Sequence, residues 1–276
     1  MITSMKDCAR LNNGLVMPWL GLGVHRVSDG QEVEQAVRNA LEIGYRSIDT
    51  ASVYGNERGV GEAMRESGVP REDIFLTTKV WNDAQRERRV LAAFEESLER
   101  LGTDYVDLYL VHWPVVGRSQ ETWQVMEEIY QSGRAKAIGV SNYLVHHLDD
   151  LLPNTQTVPT VNQIEFHPCL VQPDLLAYCQ DHKIQVQAWS PLMVGQILSE
   201  PAVQKLADKH QKTPAQIVLR WDLQHQVVTI PKSVHANRLA ENTQIFDFEL
   251  SEADMNTLDA LDEGKRVGPH PDTFEG

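Results

Sequence analysis

Apolar positions along this chain of 276 residues alternate between two periods. Short apolar runs bounded by turn residues predict strands over 19–24, 45–49, 74–79, 106–112, 135–140, 161–164, 185–189 and 227–230. Between them the spacing turns helical. Val33, Ala36, Val37, Ala40 and Leu41 recur at i, i+3 and i+4 until Gly44 stops them, and Leu91, Phe94, Leu98 and Leu101 are expected on one helix face. Further helices are predicted over 57–66, 121–131, 144–152, 173–182 and 236–244, with an additional one over 201–210. Thr213-Pro214-Ala215-Gln216 has the N-cap, first-turn proline and glutamine of a capping box, and Ser251 opens a last helix carrying Met255, Leu258 and Leu261. Ahead of the first strand, Asn13-Gly14 between short apolar arms predicts a hairpin that plugs one end of the fold.

Strand and helix thus alternate eight times, which implies a parallel sheet with helices outside it. An α/β fold, a (β/α)8 TIM barrel, is the expectation. Its extra elements are the hairpin plug, the helix after strand seven and the C-terminal helix. A barrel of this kind occupies about 250 residues, so residues 1–276 are expected to be one domain.

Composition adds limits. Apolar content of 42% with 23% charged is ordinary for a globular protein, and no apolar run approaches the roughly 20 residues of a membrane span. The N-terminus lacks the basic end and apolar stretch of a secretion signal, so a cytoplasmic location is expected. Net charge of −14 repels nucleic acid and acidic membranes, and any anionic ligand must find a local basic pocket. Cys8, Cys169 and Cys179 lack metal-ligand or redox-pair spacing and are expected to be reduced packing residues.

The chemistry lies at the strand ends. Asp49, Lys79 and His112 each close a strand, and Tyr54 follows Asp49 after a short loop. Side-chain alternation lets each of the first three face the barrel mouth, where barrel enzymes keep their reactive groups. A phenol has a reference pKa of about 10, and an adjacent ammonium favours its ionisation. Lys79 is expected to act on Tyr54 in this way, with Asp49 as its buried partner. His112 is expected to orient a carbonyl oxygen while Tyr54 protonates it.

Seven segments in order carry a resemblance: Asp49-Thr50-Ala51 with Tyr54-Gly55-Asn56-Glu57, Thr77-Thr78-Lys79-Val80-Trp81, His112-Trp113-Pro114, Gly139-Val140-Ser141-Asn142, Asn162-Gln163-Ile164-Glu165, Ala188-Trp189-Ser190-Pro191-Leu192 and Ile230-Pro231-Lys232-Ser233. In these the sequence resembles the aldo-keto reductases across essentially its full length, most of all their short bacterial members, including glyoxal and diketogluconate reductases. The resemblance implies NADPH-dependent carbonyl reduction with Asp49, Tyr54, Lys79 and His112 as the catalytic set. It further implies a cofactor site. Ser141, Asn142 and Gln163 would hold the nicotinamide carboxamide, and Trp189 would stack on the ring. Gly23, Val24 and the backbone near Ser190 and Leu192 would line the cofactor, and Lys232, Ser233, Arg238, Glu241 and Asn242 would hold the adenosine end. The chain has no Gly-x-Gly-x-x-Gly after a strand, so sequence physics alone points to the nucleotide only weakly, through the phosphate-favouring loops after strands seven and eight.

Departures from the family pattern bear on the substrate. His25 stands where an aromatic is common, the loop 114–120 is short, and Met193-Val194-Gly195 follows the Ser-Pro-Leu motif in place of an immediate glycine. A shallow, open pocket lined by His25, Trp81 and Trp113 suits small aldehydes and α-dicarbonyls of the glyoxal and methylglyoxal type. A sugar or ketogluconate reductase is the alternative within the class. A catalytically weak nucleotide-sensing protein is the alternative outside it. Metal chemistry is not expected: His146 and His147 are adjacent on a helix, where neighbouring side chains diverge, and no His-x-His ends a strand. A monomer acting on a small carbonyl compound, with no nucleic-acid or membrane partner, completes the expectation.

Overall fold

The structure, a computed structural model, describes residues 2–276. Its sheet runs in chain order through β3 (Leu22–Gly23), β4 (Ser47–Asp49), β5 (Phe75–Val80), β6 (Leu108–Val111), β7 (Ile138–Ser141), β8 (Val161–Glu165), β9 (Gln185–Trp189) and β10 (Val228–Thr229). Every neighbouring pair is parallel. A parallel bridge between Leu20 and Thr229 joins the last strand to the first, and Gly21 N–H donates to Thr229 O at 3.0 Å, so the sheet closes. Closure leaves no free edge, and each strand is buried by helices outside and side chains inside. This is the (β/α)8 barrel that the alternation predicts.

The hairpin β1 (Cys8–Arg10) and β2 (Val16–Pro18) pairs Ala9 with Met17 and turns at Asn13-Gly14. Asn12 and Asn13 donate through Nδ2 to Pro159 O and Lys136 O, both at 3.0 Å. These carbonyls precede β8 and β7, so the hairpin plugs the end of the barrel where strands begin. The opposite end is left for chemistry.

Outside the sheet lie α1 (Gln31–Ile43), α2 (Glu57–Glu66), α3 (Asn82–Arg86), α4 (Val90–Leu101), α5 (Ser119–Gln131), α6 (Val145–Leu151), α7 (Pro173–Asp181), α8 (Pro201–His210), α9 (Pro214–Gln224), α10 (Ala236–Asn242) and α11 (Glu252–Asp259). In α1 the five predicted positions are the buried ones, and Gly44 ends the helix at φ 114°. The Thr213 hydroxyl accepts from Gln216 N–H while the Gln216 side chain caps Thr213 N–H, the predicted box. Three expectations fail. Leu91 is 43% exposed, because α4 starts at Val90 and turns Val90, Ala93, Phe94, Ser97, Leu98 and Leu101 inward. Leu261 lies beyond the end of α11, although it still packs on the core. Only Cys179 is a buried cysteine; Cys8 is exposed and Cys169 half-buried. The five-residue α3 escapes periodicity because it is too short to show a period.

No helix of the described residues is long and apolar enough to cross a membrane. Helix packing is close where α2 meets α4. A Cβ on Gly61 would collide with the backbone carbonyl of Leu101, which cannot step aside as a side-chain tip can. Gly61→Ala is therefore expected to lower stability by roughly 1–3 kcal/mol despite the higher helix propensity of alanine. The urea midpoint measures this, with Gly68→Ala, at φ 73° and open space, as the comparison for backbone strain without a clash.

Candidate active site

Parallel pairing of β4 with β5 sets Asp49 opposite Thr77, one step short of Lys79 on the same strand face. The Lys79 ammonium then has three acceptors: Asp49 Oδ1 at 2.5 Å, Thr50 O at 2.9 Å and Tyr54 Oη at 3.3 Å. An ammonium has three hydrogens, so it is fully satisfied. Lys79 is 0% exposed and Asp49 2%, a depth at which an unpaired charge would not be tolerated. Tyr54 sits in the 3-10 turn Ser52–Tyr54, tied to β5 by Ser52 Oγ donating to Lys79 O at 3.0 Å. Asn56 braces the same loop through Nδ2, donating to Val24 O and Val27 O, both at 2.9 Å. His112 follows β6, with its ring edge-on to Tyr54 at 5.6 Å and to Trp81 at 5.0 Å.

Protonation follows from this burial. Burial alone would lower the Lys79 ammonium, yet Asp49 and Tyr54 beside it hold it above its ordinary value. Burial raises the Asp49 carboxyl, and Lys79 pulls it back. For Tyr54, burial is again the largest influence and carries the phenol upward; Lys79 opposes it without prevailing. The expectation of a lowered phenol is thus corrected in net direction, because desolvation of a phenolate outweighs one shared ammonium. Tyr54 keeps its proton near neutrality, and since its oxygen accepts from Lys79, its own hydrogen is free to point elsewhere. Burial, Lys79 and His25 push His112 well below its usual value, so the imidazole is neutral. Its Nδ1 is buried without a partner. Stranding a bare lone pair costs less than stranding an N–H, which favours Nε2 as the protonated nitrogen.

Around this cluster the strand ends carry a second set of polar groups. Ser141 Oγ donates to Gln163 O at 2.8 Å. Asn142, at φ 64°, donates to His112 O at 3.0 Å and accepts from Trp189 Nε1 at 2.8 Å, which fixes the indole plane. Gln163 Nε2 donates to Asp49 Oδ2 and to Gln187 Oε1, both at 2.7 Å. Val24 N–H donates to Asp49 O at 3.0 Å, and beside it a side chain on Gly23 would meet Ile230 O. After β9 the backbone turns left-handed at Ser190, Met193, Val194 and Gly195, on either side of a half-buried Leu192. After β10, Ser233 Oγ accepts from His235 N–H at 3.1 Å, and Glu241 is occupied by Thr213 Oγ1 at 2.8 Å. Asn242 is buried. Lys232 and Arg238 are exposed, and among the described residues neither forms an ion pair.

Residues 19–263 match the Aldo/keto reductase family. The chain belongs to the aldo-keto reductases. It is 54% identical over 272 residues to the glyoxal reductase of Bacillus subtilis (strain 168), covering 99% of each chain. It is 48% identical over 271 residues to the methylglyoxal reductase DkgA of Escherichia coli (strain K12), covering 97% of this chain and 98% of that one. Its fold superposes on a mutant of Gox0644 solved in complex with NADPH with a TM-score of 0.93 at 42% identity, covering 98% and 99% of the two chains.

In this aldo-keto reductase the rim differs from the open pocket expected. His25 lies over Tyr54, with ring centroids 4.8 Å apart, Trp81 stands 5.0 Å from His112, and Trp113 lies 6.5 Å from Trp189. The C-terminal segment adds Phe274, 4.4 Å from Trp113 and 6.0 Å from Trp81. Buried Glu165 anchors that segment by accepting from Val267 N–H at 2.6 Å and Gly268 N–H at 3.3 Å. A second tie corrects the expected divergence of His146 and His147. Both Nε2 atoms reach Asp272 Oδ1, at 2.9 and 3.3 Å, because Leu144 N–H donates to His147 Nδ1 and turns that ring back beside its neighbour. These three groups lie close enough to share a metal ion. The sequence alone does not tell whether the segment carrying Asp272 and Phe274 folds over the mouth, and it gives Gln187 no role. Gln187 did leave a trace, since it shares strand parity with Trp189.

Lys79→Met in this reductase leaves the Asp49 carboxylate buried without its cation. Stability is expected to fall by about 3–5 kcal/mol, and Asp49→Leu combined with Lys79→Met should recover much of the loss. Chemical denaturation of the two variants decides this. With Asp49→Leu measured as the second single variant, a double-variant loss equal to the sum of the two single losses would mean that the pair is not coupled.

Proposed function

We propose that this enzyme is an NADPH-dependent reductase of aldehydes and α-dicarbonyls, with Tyr54 as proton donor and His112 as the group that orients the carbonyl. The observation that carries the reading is the Tyr54 hydroxyl accepting from a fully buried ammonium, which leaves its hydrogen available beside a neutral imidazole. Glyoxal reductase and methylglyoxal reductase among the relatives support small dicarbonyls as the substrate class.

The groups around the mouth fit a nicotinamide cofactor. Trp189 offers a clamped aromatic face, Gln163 Oε1 is left without a hydrogen bond inside the protein, and Ser141 and Asn142 stand beside it. Exposed Lys232 and Arg238 form a basic island in a chain of net charge −14, suited to a phosphate on the adenosine. When bound, NADPH supplies the hydride. The residues of the chain then do the rest: His112 Nε2–H holds the carbonyl oxygen, Tyr54 delivers its proton to that oxygen as charge builds, and Lys79 stabilises the phenolate left behind. Asp49 keeps Lys79 charged. His25, Trp81, Trp113 and Phe274 limit the space, which favours small substrates. Three unpaired cysteines suit a reducing cytoplasm.

NADPH oxidation against a panel from methylglyoxal and glyoxal through aldoses and ketogluconates to bulky aromatic ketones tests the reading, with kcat/KM expected to rank the small dicarbonyls first. A top rank for ketogluconates would move the enzyme to the sugar-acid class. Tyr54→Phe should lose about 10² or more in kcat while still binding NADPH. Because burial raises the phenol, the wild-type limb for loss of the proton donor should appear only above pH about 10, and near-normal turnover in Tyr54→Phe would remove the residue from this role.

Cofactor choice is checked separately. Arg238→Ala removes a planar fork and should weaken NADPH binding by roughly tenfold to a hundredfold, with NADH nearly unaffected. Fluorescence titration of both cofactors measures it, and equal losses would take Arg238 away from the phosphate.

A further inference from the structure

Gln163 and Gln187 face each other across β8 and β9 in direct register, and both are buried. A glutamine amide has a donor end and an acceptor end, and turning it over reverses what it offers. The orientation of this pair is dictated by Asp49. Its carboxylate, held charged by Lys79 on Oδ1, can only accept, so the Gln163 atom 2.7 Å from Oδ2 must be Nε2. The second hydrogen on Nε2 then needs an acceptor, and Gln187 Oε1 supplies it at 2.7 Å. This in turn leaves Gln187 Nε2 buried with no partner. The reverse orientation of Gln187 would set donor against donor, so the stranded Nε2 marks the direction in which the order propagates.

From this we infer that Gln187 is a positioning residue: together with Asp49 it locks the Gln163 amide so that only Oε1 faces the mouth. One anchor defines an axis about which an amide can turn; two define its plane. With both in place, the site presents an acceptor to the ring substituent of the cofactor and selects one that carries an N–H, a carboxamide, over an acetyl group of similar shape. The inference rests on the reading that Gln163 meets the nicotinamide carboxamide.

The test compares dissociation constants for NADPH and for its reduced 3-acetylpyridine analogue, measured by quenching of tryptophan fluorescence. The ratio of the two cancels the adenosine contacts. Wild type is expected to favour NADPH by roughly tenfold, the worth of one hydrogen bond. In Gln187→Met the freed amide can swing an N–H toward the acetyl oxygen, and the ratio should fall to within about twofold of one. Gln187→Glu keeps an acceptor for Gln163 and should restore the preference. Gln187→Leu is read in the same way should the methionine variant not fold. Gln163→Leu separates the two ideas. If it abolishes the preference while Gln187→Met and Gln187→Leu retain it, the positioning role is wrong and the carboxamide contact stands. If the preference survives in Gln163→Leu, or is absent from wild type, the carboxamide contact is wrong and the inference falls with it.

Discussion

A lysine and an aspartate that are both inside the protein constrain everything near the mouth of this barrel. Two buried charges cost several kcal/mol each to desolvate, and the cost is offset only when every hydrogen and lone pair is met. The register of β4 and β5 brings Asp49 to Lys79, the turn after β4 adds Thr50 O, and the 3-10 turn adds Tyr54 Oη. A local change in strand register would strand the ammonium. The requirement for three acceptors therefore holds the Tyr54 loop as firmly as the loop holds the site.

The same pair gives the polar interior its direction. Because Asp49 is acceptor-only, donors must converge on it, and the order passes through Gln163 to Gln187 until it ends in an unpartnered Nε2. On the far side, burial keeps Tyr54 protonated and His112 neutral. Tyr54, through Lys79, and the glutamine pair thus share one carboxylate, with Lys79 on one oxygen and Gln163 on the other.

The mouth is finished by a segment distant in sequence. Glu165, at the end of β8, collects two backbone N–H groups of the C-terminal tail, and His167 and Arg266 lie against its carboxylate. The tail then lays Phe274 on Trp113 and returns Asp272 to the two histidines at the start of α6. Its docking uses groups on β8 and α6, so the pocket wall is set by the barrel and not by the tail alone.

By itself the sequence determined the barrel, the hairpin plug and the strand-end positions of Asp49, Lys79 and His112, because periodicity and turn chemistry act over a few residues. The motifs carried the family. Tertiary structure decided what depends on residues meeting across the fold. Leu91 faces solvent because the start of α4 at Val90 sets the phase of its buried face. His146 and His147 converge because a backbone N–H turns one ring and a carboxylate 125 positions further along the chain draws both. The Tyr54 phenol is raised and not lowered because burial, which no spacing reveals, outweighs one neighbouring charge.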